Sequence, residues 1–154
     1  MAVTLAVILL FPVCNLLSGL PEPGLPMVYA ALAAVAEECF FRGFVFMALK
    51  KRGRFLAALI SSATFALLHL LNLVNYPIDY TLLQVFAAFS VGFALSGLLW
   101  RTQKLWPCLL CHLLINLTGL TALSPLSVGL TIFCMFLYAG FGLLLLKNKD
   151  EVLL

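Results

Sequence analysis

Six apolar runs, near residues 2–20, 26–49, 55–75, 81–100, 105–122 and 126–146, fill almost all of a 154-residue chain. Each is roughly 18 to 24 residues long, enough to carry an α-helix across a bilayer. No stretch between them is long enough for a soluble domain. With 64% hydrophobic residues, 10% charged residues and a mean hydropathy of +1.16, the chain is far from the soluble average of about half apolar and a quarter charged. The expected fold is all-α: a polytopic membrane helix bundle of about six transmembrane helices, forming one membrane-embedded domain over residues 1–154. The first and fifth runs are the weakest, since Pro12 and Asn15 interrupt one while His112, Asn116 and Thr118 load the other. Residues 2–20 lack the basic start and the small-residue cleavage pattern of a secretory signal, so they are expected to stay as a helix.

The loops set the orientation. "KKRGR" at 50–54, "RTQK" at 101–104 and "KNK" at 147–149 hold every Lys and Arg except Arg42, whereas "PEPG" at 21–24, "NYPIDY" at 75–80 and "SPLS" at 124–127 hold none. By the positive-inside rule this alternation places both termini in the cytoplasm. It also accounts for the net charge of +3, and no nucleic-acid partner is inferred from it. The cysteines, Cys14, Cys39, Cys108, Cys111 and Cys134, are scattered through apolar segments. The isolated C-x-x-C at 108–111 is flanked by leucines, and lipid-buried thiols acting as small hydrophobes are the expectation.

One stretch breaks the apolar pattern. In "AVAEECFFRGFVFM", residues 34–47, two glutamates and an arginine stand inside a membrane run. At about 2.5–3.5 kcal/mol each, Glu37, Glu38 and Arg42 oppose insertion by roughly 8–10 kcal/mol, and something must compensate. Glu38 and Arg42 are four apart, in the favourable order for an ion pair on one helix face. Glu37 lies about 100° away round the helix and needs a partner from another one. The chain has only two histidines, His69 in "FALLHLLN" and His112 in "CHLLIN", with Asn116 one turn beyond the second. Counted from the basic ends, Glu37 lies about 20 Å deep, His69 about 21 Å, His112 about 10 Å and Asn116 about 16 Å, so the depths overlap near the midplane. Ala30, Ala31, Ala33, Ala34 and Ala36 would let neighbouring helices approach. A Glu without a partner on its own helix, beside two imidazoles, has the makings of a general base acting on water.

At these residues the chain resembles the CPBP family of intramembrane proteases, which includes the type II CAAX prenyl endopeptidases and the bacterial Abi, or bacteriocin self-immunity, proteins. The family's E-E-x-x-x-R is matched by Glu37, Glu38 and Arg42, its F-x-x-x-H by Phe65 and His69, and its H-x-x-x-N/D by His112 and Asn116. The resemblance covers roughly residues 26–122. It implies an intramembrane endopeptidase that hydrolyses a membrane-associated, CAAX-type or leader-peptide substrate. Glu37 would activate the water and His69 would help hold it. His112 and Asn116 would stabilise the oxyanion, and Glu38, Arg42 and Phe65 would support the site. Glu37, His69 and His112 could equally form a two-His, one-carboxylate zinc set, so cofactor use stays open between zinc and none. The family carries a metalloprotease label, and a metal-independent glutamate mechanism uses the same residues. The implied location is the plasma membrane of a bacterium.

Other readings are weaker. There is no H-E-x-x-H and no G-x-G-D, and Ser96 in "ALSG" is only a faint echo of a serine protease. A non-catalytic bacteriocin-immunity or peptide-binding protein could use the same polar cavity. A transporter would favour broken helices or paired repeats, and neither is visible. The topology is directly testable: reporter tags at either terminus should read out in the cytoplasm, and a tag within residues 21–26 on the opposite face. Termini on opposite sides would remove one helix from the bundle.

Overall fold

The computed structural model describes residues 24–121 and 128–147, and among them the regular structure is entirely helical. Helix α1 (Leu25–Glu38) carries Pro26 in its first turn, where a residue without an N–H loses no helical partner. It runs on through a π-helical segment (Cys39–Phe46), a short α turn (Met47–Leu49) and a 3₁₀ turn (Lys50–Arg52). Gly53 then reverses the chain at φ 131°, a region closed to most L-residues. Helix α2 (Arg54–Leu68) tightens into a 3₁₀ stretch (His69–Val74). Helix α3 (Ile78–Thr102) ends at Gln103, whose left-handed conformation returns its N–H to the Leu99 carbonyl. Helices α4 (Trp106–Thr121) and α5 (Val128–Leu146) complete the described chain.

The helices fall close to five of the expected spans; the expected span at 2–20 and the loop at 124–127 lie outside the described residues. Three segments, Arg54–Val74, Ile78–Thr102 and Val128–Leu146, are long and apolar enough to cross a membrane, and α4 has a shorter apolar stretch, Trp106–Leu117. The chain is therefore an integral membrane protein. The loop expected over 75–80 is shorter than its composition suggested, because α3 begins at Ile78. Pro77 precedes it and Asp79 sits in its first turn, where a carboxylate favours the positive end of the helix dipole.

Helix α3 is the central element, packed between α2 on one side and α5 on the other, while α1 packs against α4. Its run "SVGFALSGLL", residues 90–99, is buried at nearly every position. Small residues there bring helices into backbone contact, as membrane bundles require in the absence of a hydrophobic drive between helices. Many large apolar side chains on the outer faces, such as Leu71, Val74 and Phe136, are exposed, which suits a lipid surface. The cysteines correct the expectation of lipid-facing thiols. Cys108, Cys111 and Cys134 are buried against other helices, because these small side chains face the centre of the bundle, and only Cys39 is exposed. None of these four is in a disulfide, and Cys108 Sγ donates to the Leu95 carbonyl at 3.3 Å; Cys14 lies outside the described residues.

The α3–α5 crossing is closest at Gly142, where an added Cβ would come within 2.9 Å of the Phe93 carbonyl oxygen and 2.6 Å of its ring. Backbone cannot yield there. Gly142→Ala should destabilise the protein by about 1–3 kcal/mol, the usual cost of overpacking. Gly140→Ala, two residues away with nothing within 4 Å, should leave the thermal unfolding midpoint in detergent unchanged.

Candidate active site

The site is built where α1 passes into its π-helical segment. Such wide turns are rare and recur at functional positions. The segment is tied to α2 by Ser61, whose hydroxyl donates to the Phe41 carbonyl at 2.7 Å. Glu38 and Arg42 remain on one side of the helix across this transition, and Arg42 Nη1 donates to Glu38 Oε1 at 2.7 Å with both side chains fully buried. A buried ion pair is stable only with good geometry and further partners, and the structure supplies them from three other helices. The guanidinium lies over the Phe65 ring, 4.6 Å from its centroid, a cation–π contact from α2. From α3, Gly92 leaves the space Arg42 occupies: a Cβ there would stand 2.9 Å from Nη2 and 3.1 Å from the Phe65 ring. From α4, His112 Nδ1 meets the same Glu38 Oε1 at 2.8 Å.

That last contact assigns the histidine's proton. A carboxylate oxygen only accepts, so His112 Nδ1 carries hydrogen and Nε2 is left to face elsewhere. Nε2 faces Glu37, whose Oε2 is 3.5 Å away. Glu37 thus obtains from α4 the partner its own helix does not offer, and it is one-third exposed where Glu38 is fully buried. Two adjacent carboxylates are thereby placed in different surroundings, one sealed against an arginine and one open beside an imidazole.

Phe65 organises the rest. Besides Arg42 its ring meets Phe41, His69 and His112 edge-on, with centroids 5.3, 4.9 and 5.5 Å apart. His69 sits at the junction of α2 with its 3₁₀ extension, its Nδ1 3.1 Å from the Phe65 carbonyl oxygen. A cavity of about 410 Å³ is lined by Phe65, His69, His112 and Asn116 together with Tyr80, Gln84 and Tyr138. Asn116 Nδ2 donates to the Ala30 carbonyl at 3.3 Å, pinning α4 to α1. Of the small residues on α1, Ala34 is buried while Ala33 and Ala36 are exposed, so only one side of that alanine-rich run meets another helix. Ser96 is buried in α3 and does not line the cavity. Gly92 went unnoticed in the sequence; the available signal was its place among the small residues of "SVGFALSG".

The same donors bear on the zinc alternative. Two ligands of a tetrahedral zinc stand about 3.3 Å apart, which Glu37 Oε2 and His112 Nε2 approach at 3.5 Å. No third donor joins them: among the described residues no three His, Cys, Asp or Glu side chains are grouped so as to hold a metal ion. One nitrogen of His69 faces its own helix, and one nitrogen of His112 is committed to Glu38.

By fold and site this is an integral membrane helix bundle with two carboxylates, an arginine and two imidazoles gathered inside it. Residues 20–118, about two thirds of the chain, match the family described as Type II CAAX prenyl endopeptidase Rce1-like, and the chain belongs to that family of membrane proteases. No curated protein and no solved structure matches it.

The buried pair makes a strong energetic statement. Glu38→Ala should destabilise the protein by about 3–5 kcal/mol by leaving Arg42 buried without its counter-charge. The double variant Glu38→Leu/Arg42→Met should recover much of that loss, because no charge remains buried. Chemical unfolding in detergent measures both, and equal losses in the single and double variants would contradict the account.

Proposed function

We propose that this protein hydrolyses a peptide bond of a membrane-associated substrate, with Glu37 as the general base. The observation that carries the proposal is the 3.5 Å gap between Glu37 Oε2 and His112 Nε2, with the other ring nitrogen of His112 held by Glu38. The gap is long for a direct hydrogen bond and suits a water in contact with both atoms. Glu37 removes a proton from that water as its oxygen bonds to the substrate carbonyl carbon. His112 Nε2 is placed to stabilise the carbonyl oxygen as charge develops on it. Asn116 has two amide hydrogens, so it can donate one to the same oxygen while the other remains with Ala30. Glu37 then returns its proton to the departing nitrogen as the C–N bond breaks, leaving a carboxylic acid and an amine. His69 lines the cavity with Nε2 as acceptor for the water or for a substrate N–H. Glu38, Arg42 and Phe65 act through His112 by holding its ring.

Membership of a CAAX-type endopeptidase family supports hydrolysis over peptide binding alone, and makes CAAX-type or leader-peptide substrates the classes to test. The test uses purified protein with a quenched-fluorescent library of membrane peptides. Glu37→Gln should abolish cleavage without lowering the unfolding midpoint, since Glu37 is partly exposed and carries no buried ion pair. Asn116→Ala should lower kcat by about 10²–10³-fold, the usual loss for one oxyanion donor. A Glu37→Gln variant that cleaves normally would remove the general base from the mechanism.

A further inference from the structure

Gln84 lines the cavity from α3, and the chemistry proposed above makes no use of it. Its Oε1 accepts from Asn72 Nδ2 at 2.7 Å, a bond between part-buried groups that ties the 3₁₀ stretch after α2 to α3. A side-chain amide has an acceptor end and a donor end, so with Oε1 engaged the NH₂ is the end left for other contacts. Among the described residues no protein acceptor meets that NH₂. A donor without a partner is costly inside a bilayer, and here it opens on the cavity.

The 3₁₀ stretch sets where this donor stands relative to the reacting groups. Side chains three apart in a 3₁₀ helix eclipse, so Asn72 lies directly beyond His69, about 6 Å along the axis at about 2.0 Å per residue. In an α-helix the same two side chains would diverge by about 60°. Gln84, bonded to Asn72, therefore stands about 6 Å beyond His69 on the same side. An extended peptide covers about 6.6 Å in two residues and presents every second residue to the same side. A chain whose scissile bond lies beside His69 thus brings the carbonyl two residues away to Gln84.

A peptide drawn into this cavity brings backbone groups that need partners. Its N–H and C=O groups have no internal ladder once the chain is extended, and burial without a partner costs free energy. The wall around His69, Gln84, His112 and Asn116 is helical, and backbone donors inside a helix are already spent, so the partners must be side chains. We propose that Gln84 is a substrate-binding residue whose amide NH₂ donates to the peptide carbonyl two residues from the scissile bond, and that Asn72 is the positioning residue that aims it. The contact reads the backbone, so it holds peptides of different side chains in one alignment. The word scissile rests on the function proposed above; the contact itself needs only binding.

Binding and cleavage are tested separately. The probe is the library peptide that binds the full-length Glu37→Gln protein most tightly by fluorescence anisotropy in detergent, remade as a series in which each backbone carbonyl in turn becomes CH₂. One replacement should weaken binding about tenfold, the range of a single net hydrogen bond. Adding Gln84→Met should raise the Kd of the unmodified peptide by a similar factor and abolish the effect of that replacement. Asn72→Ala should cost less and spread the sensitivity over neighbouring carbonyls, because the amide is kept but no longer aimed. The double variant Asn72→Leu/Gln84→Leu strands neither amide and serves where Gln84→Met lowers the unfolding midpoint. With Glu37 restored, Gln84→Met should raise KM in place of lowering kcat, and mass spectrometry of the products should put the sensitive carbonyl two residues from the cut. Losses that stay the same at every carbonyl with or without Gln84 would mean that the Asn72–Gln84 bond only ties two helices, and overturn the proposal, as would a sensitive carbonyl at any other distance from the cut. A Gln84-dependent carbonyl in a peptide that is never cut supports the contact and counts against the hydrolytic reading.

Discussion

Arg42 is the constraint on which the rest of the site depends. A guanidinium with no exposed surface, inside a helix bundle, has lost all of its hydration, and several kcal/mol must be restored by neighbours. Each neighbour comes from a different element: Glu38 from the preceding turn, the Phe65 face from α2, and room beside Gly92 from α3. The arginine thereby clamps α1, α2 and α3 at one level. Nε and Nη2 of Arg42 and Oε2 of Glu38 find no protein partner among the described residues, so buried water is the natural complement to this pair.

From that clamp the geometry of the candidate site follows by a chain of polar contacts. Arg42 holds Glu38, the same oxygen of Glu38 holds Nδ1 of His112, and Nε2 of His112 is aimed at Glu37. The order of these contacts is set by acceptor capacity. Because Glu38 Oε1 already receives two donors, it orients the imidazole, while Glu37 stays partly exposed beside it. Two neighbouring residues of one type thus stand in different surroundings.

The bundle divides its length between packing and function. Toward the basic loops α3 is encased by α2, α4 and α5 through glycine, alanine and cysteine contacts; toward the other end the same helices separate around a cavity walled by Tyr80, Gln84 and Tyr138. The Gly97 and Gly142 crossing lies in the packed half and gives the open half a rigid base. His69 stands at the boundary, where α2 gives way to a 3₁₀ stretch without a buried residue, so its placement leans on Phe65 one turn earlier.

The sequence by itself determined the helical class, the approximate ends of five helices, and the Glu38–Arg42 pair, because hydrophobic run length and i,i+4 spacing are local properties of a helix. It also indicated that Glu37 must look to another helix, since a charge at that depth cannot remain without a partner in lipid. Only the tertiary structure decided which imidazole answers Glu37, that Asn116 also fastens α4 to Ala30, that Phe65 stacks on the arginine, and that Gly92 makes room for it. Those outcomes depend on how far each helix is rotated about its axis, and the π-helical segment changes that rotation in the middle of the motif. Spacing along a chain carries no record of rotation between helices; packing alone sets it.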